Sequence, residues 1–408
     1  MSSSGPMLYV ACDFMKTGGM DRVAYALALR MAETGRPIHL VAHSCGQKLL
    51  AFPNVHFHQV KKPFNSTFLG SFLIHTTGHS VAKQITRQGG RVIVSGGNCL
   101  WNDVNFVHHV HAADNPPPAG GLKSRILQKI MLNKSRWEER WVVPKAKLAV
   151  VSCNMTKNEL TSRIPIPPER VKVMYFGTDS ALFHPLTADE RAAARQTLGW
   201  KQDRIKIAFI GSMANRRKGF DTLYAAWKEL CARPDWDADL IVVGRGKDQP
   251  IWKAQSEVDG LTDRISFLGF VDNLPQMLAA CDAHCLPSRY EGYSLATQEA
   301  LYCGVPALIS AASGIAERYP PDLQDLIVKD PNDAPALAQQ LSRWRAKMDW
   351  YRARVGEWGA ELRTCTWEVM ADQFMEIIGE GNAERGMRNS EEAGAKPYEP
   401  AVAPHAQG

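Results

Sequence analysis

The stretch Ser288-Arg-Tyr-Glu-Gly-Tyr-Ser-Leu-Ala-Thr-Gln-Glu299 lies between a short apolar run, Ala283 to Leu286, and a helical pattern that Gly304 and Pro306 bring to an end. The run reads as a buried strand. Gly304 suits the left-handed position after a helix, and Pro306 prevents continuation. Strand, loop, helix is the repeating unit of parallel sheets, and ligands of such sheets bind in the loops that follow the strands.

Working outward, the same alternation fills the C-terminal half, with strands expected at Ile205 to Ile210, Leu240 to Val243, Ile265 to Leu268 and Pro306 to Ile309. Helices are expected at Gly219 to Cys231, Leu274 to Cys281 and Leu295 to Cys303. The N-terminal half repeats it less cleanly, with strands at Leu8 to Cys12, Ile38 to Ala42, Val92 to Val94, Val104 to Val110 and Leu148 to Ser152, and a helix from Asp21 to Glu33. A polar stretch, Thr187 to Gln202, separates the halves. The expectation is an α/β chain of two Rossmann-like, doubly wound domains, 1–188 and 189–365. From Gly379 the composition is Gly-, Ala-, Glu- and Pro-rich, so 379–408 is expected to be a disordered tail.

With 408 residues, 45% of them hydrophobic and 22% charged, the chain can bury two sizeable cores. Nine cysteines without a CxxC pair suit a reduced, cytoplasmic protein. Cys281, His284 and Cys285 suggest a metal cluster but read better as a helix end entering a buried strand, and no metal is expected. The N-terminus lacks a basic region followed by a long apolar one, so no signal peptide is expected, and no window is apolar enough for a membrane span.

Three loops after strands carry candidate chemistry. In the stretch Glu291 to Glu299, Gly292 gives the backbone room, and the amides near Tyr293, Ser294 and Leu295 open a helix whose dipole favours a phosphate. Glu299 and Glu291 are placed to accept hydrogen bonds from ribose and sugar hydroxyls; the plainer alternative is two solvated glutamates. In Gly211 to Gly219 three consecutive cations, Arg216, Arg217 and Lys218, suit a diphosphate, or form a basic surface loop. In Thr17 to Met20, Gly18 and Gly19 let the backbone approach a phosphate or sugar, or make a plain turn. A fourth feature, Phe106-Val-His-His-Val-His111, places His108, His109 and His111 at a strand end. Successive strand residues face opposite ways, so His108 and His111 can share a cleft only if the strand ends between them.

Taken together, strand, G(x)nRKG, helix and then P-S-x-x-E-G-x-S-x-x-x-x-E-A-L-x-x-G-x-P resemble the family 4 glycosyltransferases with the GT-B fold. The resemblance spans roughly residues 7–378 and includes the Gly18–Gly19 turn, Phe176 to Asp179, and Trp367 in a final helix. It implies a cleft between the two domains and a C-terminal helix, 366–378, that crosses back to the first. It implies a retaining, metal-independent enzyme without a cofactor, whose nucleotide-sugar donor is bound mainly by the second domain and whose acceptor is bound mainly by the first. Residue by residue, it assigns Arg217 and Lys218 to the diphosphate, Glu299 to the ribose, Glu291 to the sugar, and a histidine, His108 or His111, to the reacting centre. One departure stands out: relatives carry an arginine where this chain has Ser212, which leaves open whether Arg216 or Arg217 enters the cleft.

The activity expected is transfer of a hexose, from a UDP-sugar by preference, to a cell-envelope glycan or a lipid-linked acceptor such as a lipopolysaccharide core or exopolysaccharide intermediate. A sugar-nucleotide epimerase and a non-catalytic nucleotide-sugar-binding protein are the alternatives. Between Leu122 and Lys147 eight Lys or Arg stand against two Glu, interleaved with Leu, Ile and Trp, while the whole chain carries a net charge of +6. That segment either lies on an anionic membrane, at the inner face of the plasma membrane, or packs its apolar face on the core. Nothing points to a nucleic-acid partner.

Overall fold

The computed structural model describes residues 5–118, 121–214 and 216–379. Strands β1 (Met7–Val10), β2 (Ile38–Ala42), β3 (Val55–Gln59), β4 (Arg91–Ser95), β5 (Val104–Val107), β6 (Leu148–Val151) and β7 (Val171–Val173) form a parallel sheet in the order β3-β2-β1-β4-β5-β6-β7. A second parallel sheet contains β8 (Ile205–Ile210), β9 (Ala238–Val243), β10 (Ile265–Gly269), β11 (Ala283–Leu286), β12 (Ala307–Ser310) and β13 (Ile327–Val328), ordered β10-β9-β8-β11-β12-β13. Both are doubly wound. The order reverses between β1 and β4 and between β8 and β11, and crevices for ligands open at the carboxyl ends of such strands. The glycine pair follows β1, the basic loop follows β8, and the glutamate loop follows β11.

The central strands are mostly apolar and buried because helices cover both faces, with Lys206 and Asp239 paired to each other in the second sheet. Sequence reading passed over β3, β7 and β13. β3 is a half-exposed edge strand with the composition Val-His-Phe-His-Gln, and the other two are three and two residues long, so none shows a buried run. The polar stretch between the halves contains a helix, Ala188–Thr197, opened by a capping box between Thr187 and Glu190. Its Arg195, 2% exposed, donates to the Ala280 carbonyl at 3.0 Å and to Asp282 at 2.5 Å, which fixes the helix to the second sheet.

A final helix, Trp367–Ile377, crosses back onto the helix Met20–Glu33. Arg30 binds Asp372 at 2.5 Å, and the Phe374 ring lies 6.0 Å from that of Phe106. At the crossover Thr178 bridges Thr366, and a Cβ on Gly177 would meet the Thr366 carbonyl at 2.2 Å. The backbones touch there only because no side chain intervenes. Among the described residues no helix is long and apolar enough to cross a membrane. From residue 380 the tail expected to be disordered lies outside the described residues.

Candidate active site in the interdomain cleft

Backbone pairing presents Glu291. Its amide donates to the Ala312 carbonyl at 3.0 Å and its own carbonyl accepts from Gly314 at 2.9 Å, so the loop after β11 is clamped to the loop after β12. The carboxylate turns toward the basic loop, where Lys218 bonds it directly and Arg217 stands 3.3 Å away. Burial pushes the Glu291 carboxyl up, and Lys218 and Arg217 outweigh it to leave the group below its usual range. Burial also lowers Lys218, against the pull of Glu291. Gly219, at φ +70°, makes this geometry possible, because a Cβ there would meet the Pro287 carbonyl at 1.9 Å. Of the two arginines left open by sequence, Arg217 faces Glu291 while Arg216 is half-exposed, 3.9 Å from Asp221.

Ser294 caps the helix Leu295–Tyr302 with its hydroxyl, 3.4 Å from the Thr297 amide. Its backbone takes φ +89°, a left-handed conformation uncommon for a residue with a side chain and concentrated at functional loops. Leu295 and Ala296 follow as the first helical residues, whose amides have no partner within the helix.

Glu299 is 1% exposed, so it is not the surface residue of the plainer alternative. Its partner comes from the other domain: Arg22 Nη1 lies 2.6 Å from Glu299 Oε1. Burial raises the Glu299 carboxyl and Arg22 lowers it, with a net rise. Arg22 is steadied by donating through Nε to the Gly18 carbonyl at 2.8 Å. Gly18 needs its positive φ of 83°, whereas a Cβ on Gly19 would meet open space. Sequence reading missed Arg22. A cation in the first turn of a helix opposes the helix dipole, and that mismatch was the available signal.

Strand β5 stops at Val107, so His108, His109 and His111 sit in the following loop and the strand alternation no longer separates them. This corrects the expected strand end at Val110. The His108 ring is held down to about 3 by burial and by its neighbouring histidines, and its Nδ1 is buried without a partner. His111 is pushed down to about 4 for the same reasons. Both are neutral near pH 7, suited to giving or taking a hydrogen bond rather than supplying charge. His109 binds Asp114 at 3.1 Å. Buried Glu139 takes the amides of His111 and Ala112 at 2.9 Å each, fixing the loop.

The domains meet at Gly292. Its carbonyl accepts from Ser152, Cys153 and Thr156 at 3.2, 3.1 and 3.0 Å. Further links, also missed from sequence, run from Tyr290 to Glu159 at 2.8 Å and from Glu317 to the Asn154 and Met155 amides at 2.8 Å each. A Cβ on Gly292 would meet the His108 carbonyl at 2.3 Å. Gly292→Ala is therefore expected to part this seam and lower the melting transition, by about 1–3 kcal/mol of stability; an unchanged calorimetric profile would show that the seam can yield.

Among the described residues no group of three or more His, Cys, Asp or Glu could hold a metal ion. His284 lies in β11, its Nδ1 3.2 Å from the Ala208 carbonyl, and the Cys281 thiol faces the Met277 carbonyl at 3.3 Å. The CDAHC stretch is thus a buried helix end and strand.

Two family models match the chain: Glycosyltransferase Family 4 over residues 17–182 and Glycosyl transferases group 1 over residues 204–346. The chain is 29% identical over 419 residues to a D-inositol 3-phosphate glycosyltransferase of Salinispora tropica, covering 92% of this chain and 83% of that one. A second protein of that name, from Salinispora arenicola, is 29% identical over 295 residues, and the match spans 69% of this chain and 62% of its length. Among solved structures, WaaG, a glycosyltransferase involved in lipopolysaccharide biosynthesis, superposes with a TM-score of 0.73 at 18% identity, over 92% of this chain and 100% of that one.

Proposed function

The chain belongs to the family 4 glycosyltransferases of the GT-B fold, and from that premise we propose that it moves a hexose from a nucleotide sugar, a UDP-sugar by preference, to a cell-envelope glycan or lipid-linked acceptor. The observation that carries this is the pairing of each glutamate of the 291–299 stretch with a cation at the cleft: Glu291 with Lys218 and Arg217, Glu299 with Arg22. Such pairs offset the cost of burying a carboxylate, more than fully at Glu291 and in part at Glu299, and leave it ready to exchange a cation for hydroxyl donors.

In this reading Lys218 and Arg217 turn from Glu291 to the departing diphosphate, where negative charge grows during transfer. The amides that open the helix Leu295–Tyr302 support the same phosphates. Glu299 takes the ribose hydroxyls and Glu291 the sugar hydroxyls. The neutral rings of His108 and His111 fit hydrogen bonding near the reacting carbon. Hydrolases that retain configuration use two carboxylates flanking the scissile bond. Here both carboxylates are held by cations and assigned to donor hydroxyls, Glu291 beside the diphosphate-binding Lys218 and Arg217 and Glu299 beside Arg22, which favours attack by the acceptor on the face the diphosphate leaves, with retention and without a metal. The Gly18–Gly19 turn brings open backbone toward the donor from the first domain. The acceptor lies on that side, at the inner face of the plasma membrane.

Mass spectrometry of donor depletion across UDP-, GDP- and ADP-sugars, with and without membrane extract, tests the proposal. Acceptor-dependent loss of one donor is expected. If no sugar nucleotide is bound or consumed, the reading fails.

A further inference from the structure

The basic segment read either as lying on a membrane or as packed on the core forms the helix Leu122–Val142, and most of its large apolar side chains are exposed while Val142 is buried. Leu122, Ile126, Ile130, Trp137 and Trp141 recur at intervals of four or seven residues, so they share one helix face, and each is exposed, Trp137 by 62%. A second exposed row adjoins it. Phe68 and Phe72 are one turn apart on the helix Thr67–Arg87, and Phe64, 97% exposed, precedes them. Phe64 is held at φ +54°, a left-handed conformation costly for an aromatic residue, and it holds the ring in solvent. Lys134 joins the rows: its Nζ stands over the Phe68 ring at 5.5 Å and donates to Ser71 Oγ at 3.2 Å.

The charge around this apolar surface is predominantly positive. Of the acids on the basic helix, Glu138 is paired with Lys134 and Glu139 is buried against the His111 loop. Lys61 and Lys62 precede Phe64, Lys62 lying 3.7 Å from Asp13, and Lys145 stands 5.5 Å from the Trp141 ring. The surface also borders the cleft, since Arg136 donates to the His111 carbonyl at 3.0 Å and Lys247 of the second domain reaches Ser124 at 3.0 Å.

We propose that Phe64, Phe68 and Phe72, together with the exposed face of the helix Leu122–Val142, form one docking surface for an anionic lipid bilayer, set beside the cleft. Aromatic rings enter the headgroup boundary while lysines and arginines meet the lipid phosphates. A second copy of the chain is a poor occupant, because the surface would meet its own positive charge. The proposal deepens the lipid-linked acceptor reading and rests on it only for what docking achieves, which is to present the acceptor from the bilayer plane.

Flotation of the full chain with vesicles tests it, comparing neutral phosphatidylcholine with vesicles in which about a third of the lipid is phosphatidylglycerol. Binding is expected to the anionic vesicles alone and to fall about tenfold in high salt. The variant Phe64→Ser, Phe68→Ser, Phe72→Ser is expected to lose at least about tenfold in vesicle binding while binding the nucleotide-sugar donor as wild type does. Chain that ignores anionic vesicles, or a triple variant that binds them as wild type does, overturns the proposal. Ultracentrifugation showing that wild type dimerises and the triple variant does not overturns it as well. Vesicle binding without donor turnover supports docking while the glycosyl-transfer reading fails, so the two stand or fall separately.

Discussion

Lys218→Ala is expected to lower kcat by about 10²- to 10³-fold, the usual cost of removing one preorganised group from a developing negative charge. Lys218 is the cation in direct contact with Glu291, and it sits where the loop after β8 meets the loop after β11. The substitution removes the stronger of the two attractions that hold the Glu291 carboxyl down, so that group rises while Arg217 still lowers it. A carboxyl depressed in the folded state contributes stability above its unfolded pKa and loses it as pH falls through the folded one. The variant should therefore show its largest stability deficit at neutral pH and lose less stability than wild type on acidification. Steady-state kinetics with the preferred donor, alongside a circular dichroism spectrum, provide the check. A folded variant within about threefold of wild-type kcat would remove Lys218 from the transition state.

Arg22→Ala is expected to act on stability and on donor binding together. It leaves Glu299, 1% exposed, without its counter-charge. Breaking a fully buried pair costs roughly 3–5 kcal/mol. Here the Arg22 side chain is 24% exposed, so a loss of about 1–3 kcal/mol at neutral pH is the appropriate scale. The sign of the pH dependence follows from burial, which already lifts the Glu299 carboxyl above its ordinary value, with Arg22 pulling it back. A carboxyl raised in the folded state costs stability as pH climbs from the unfolded pKa to the folded one. Without Arg22 the folded value rises further, and the cost continues to accrue at higher pH. The deficit of the variant should be largest at neutral and alkaline pH and should shrink toward acid, where a protonated Glu299 needs no cation. Donor affinity should weaken too, since a neutral carboxyl accepts hydroxyl bonds less well. Calorimetry over a pH series decides this: a deficit independent of pH would mean that Arg22 acts through packing alone.

The strands that were legible in the sequence are the interior ones. β1, β8, β9 and β11 are apolar runs buried on both faces, and a parallel sheet can bury both faces only with helices between its strands. The edge strand β3 was not legible, because one side of it stays polar. Loops were read well where a backbone constraint appears as glycine, at Gly18, Gly219 and Gly304, all with positive φ. They were read poorly where a side chain takes its meaning from a distant element. Tyr290 meets Glu159, Glu317 meets Asn154, and Arg22 meets Glu299 over sequence separations that no local pattern reports.

By itself, then, the sequence determined two doubly wound sheets and a glutamate loop at the mouth of the second, because hydrophobic period, glycine and proline act locally. Only the tertiary structure decided that Arg217 rather than Arg216 faces Glu291, that Glu299 is buried against an arginine of the other domain, and that Trp137 and Trp141 remain outside the core. Those outcomes depend on which surfaces meet in the folded chain, within one domain for Arg217 and for the tryptophans and between the domains for Glu299. Charge pairing and desolvation are set there by neighbours far apart in the chain.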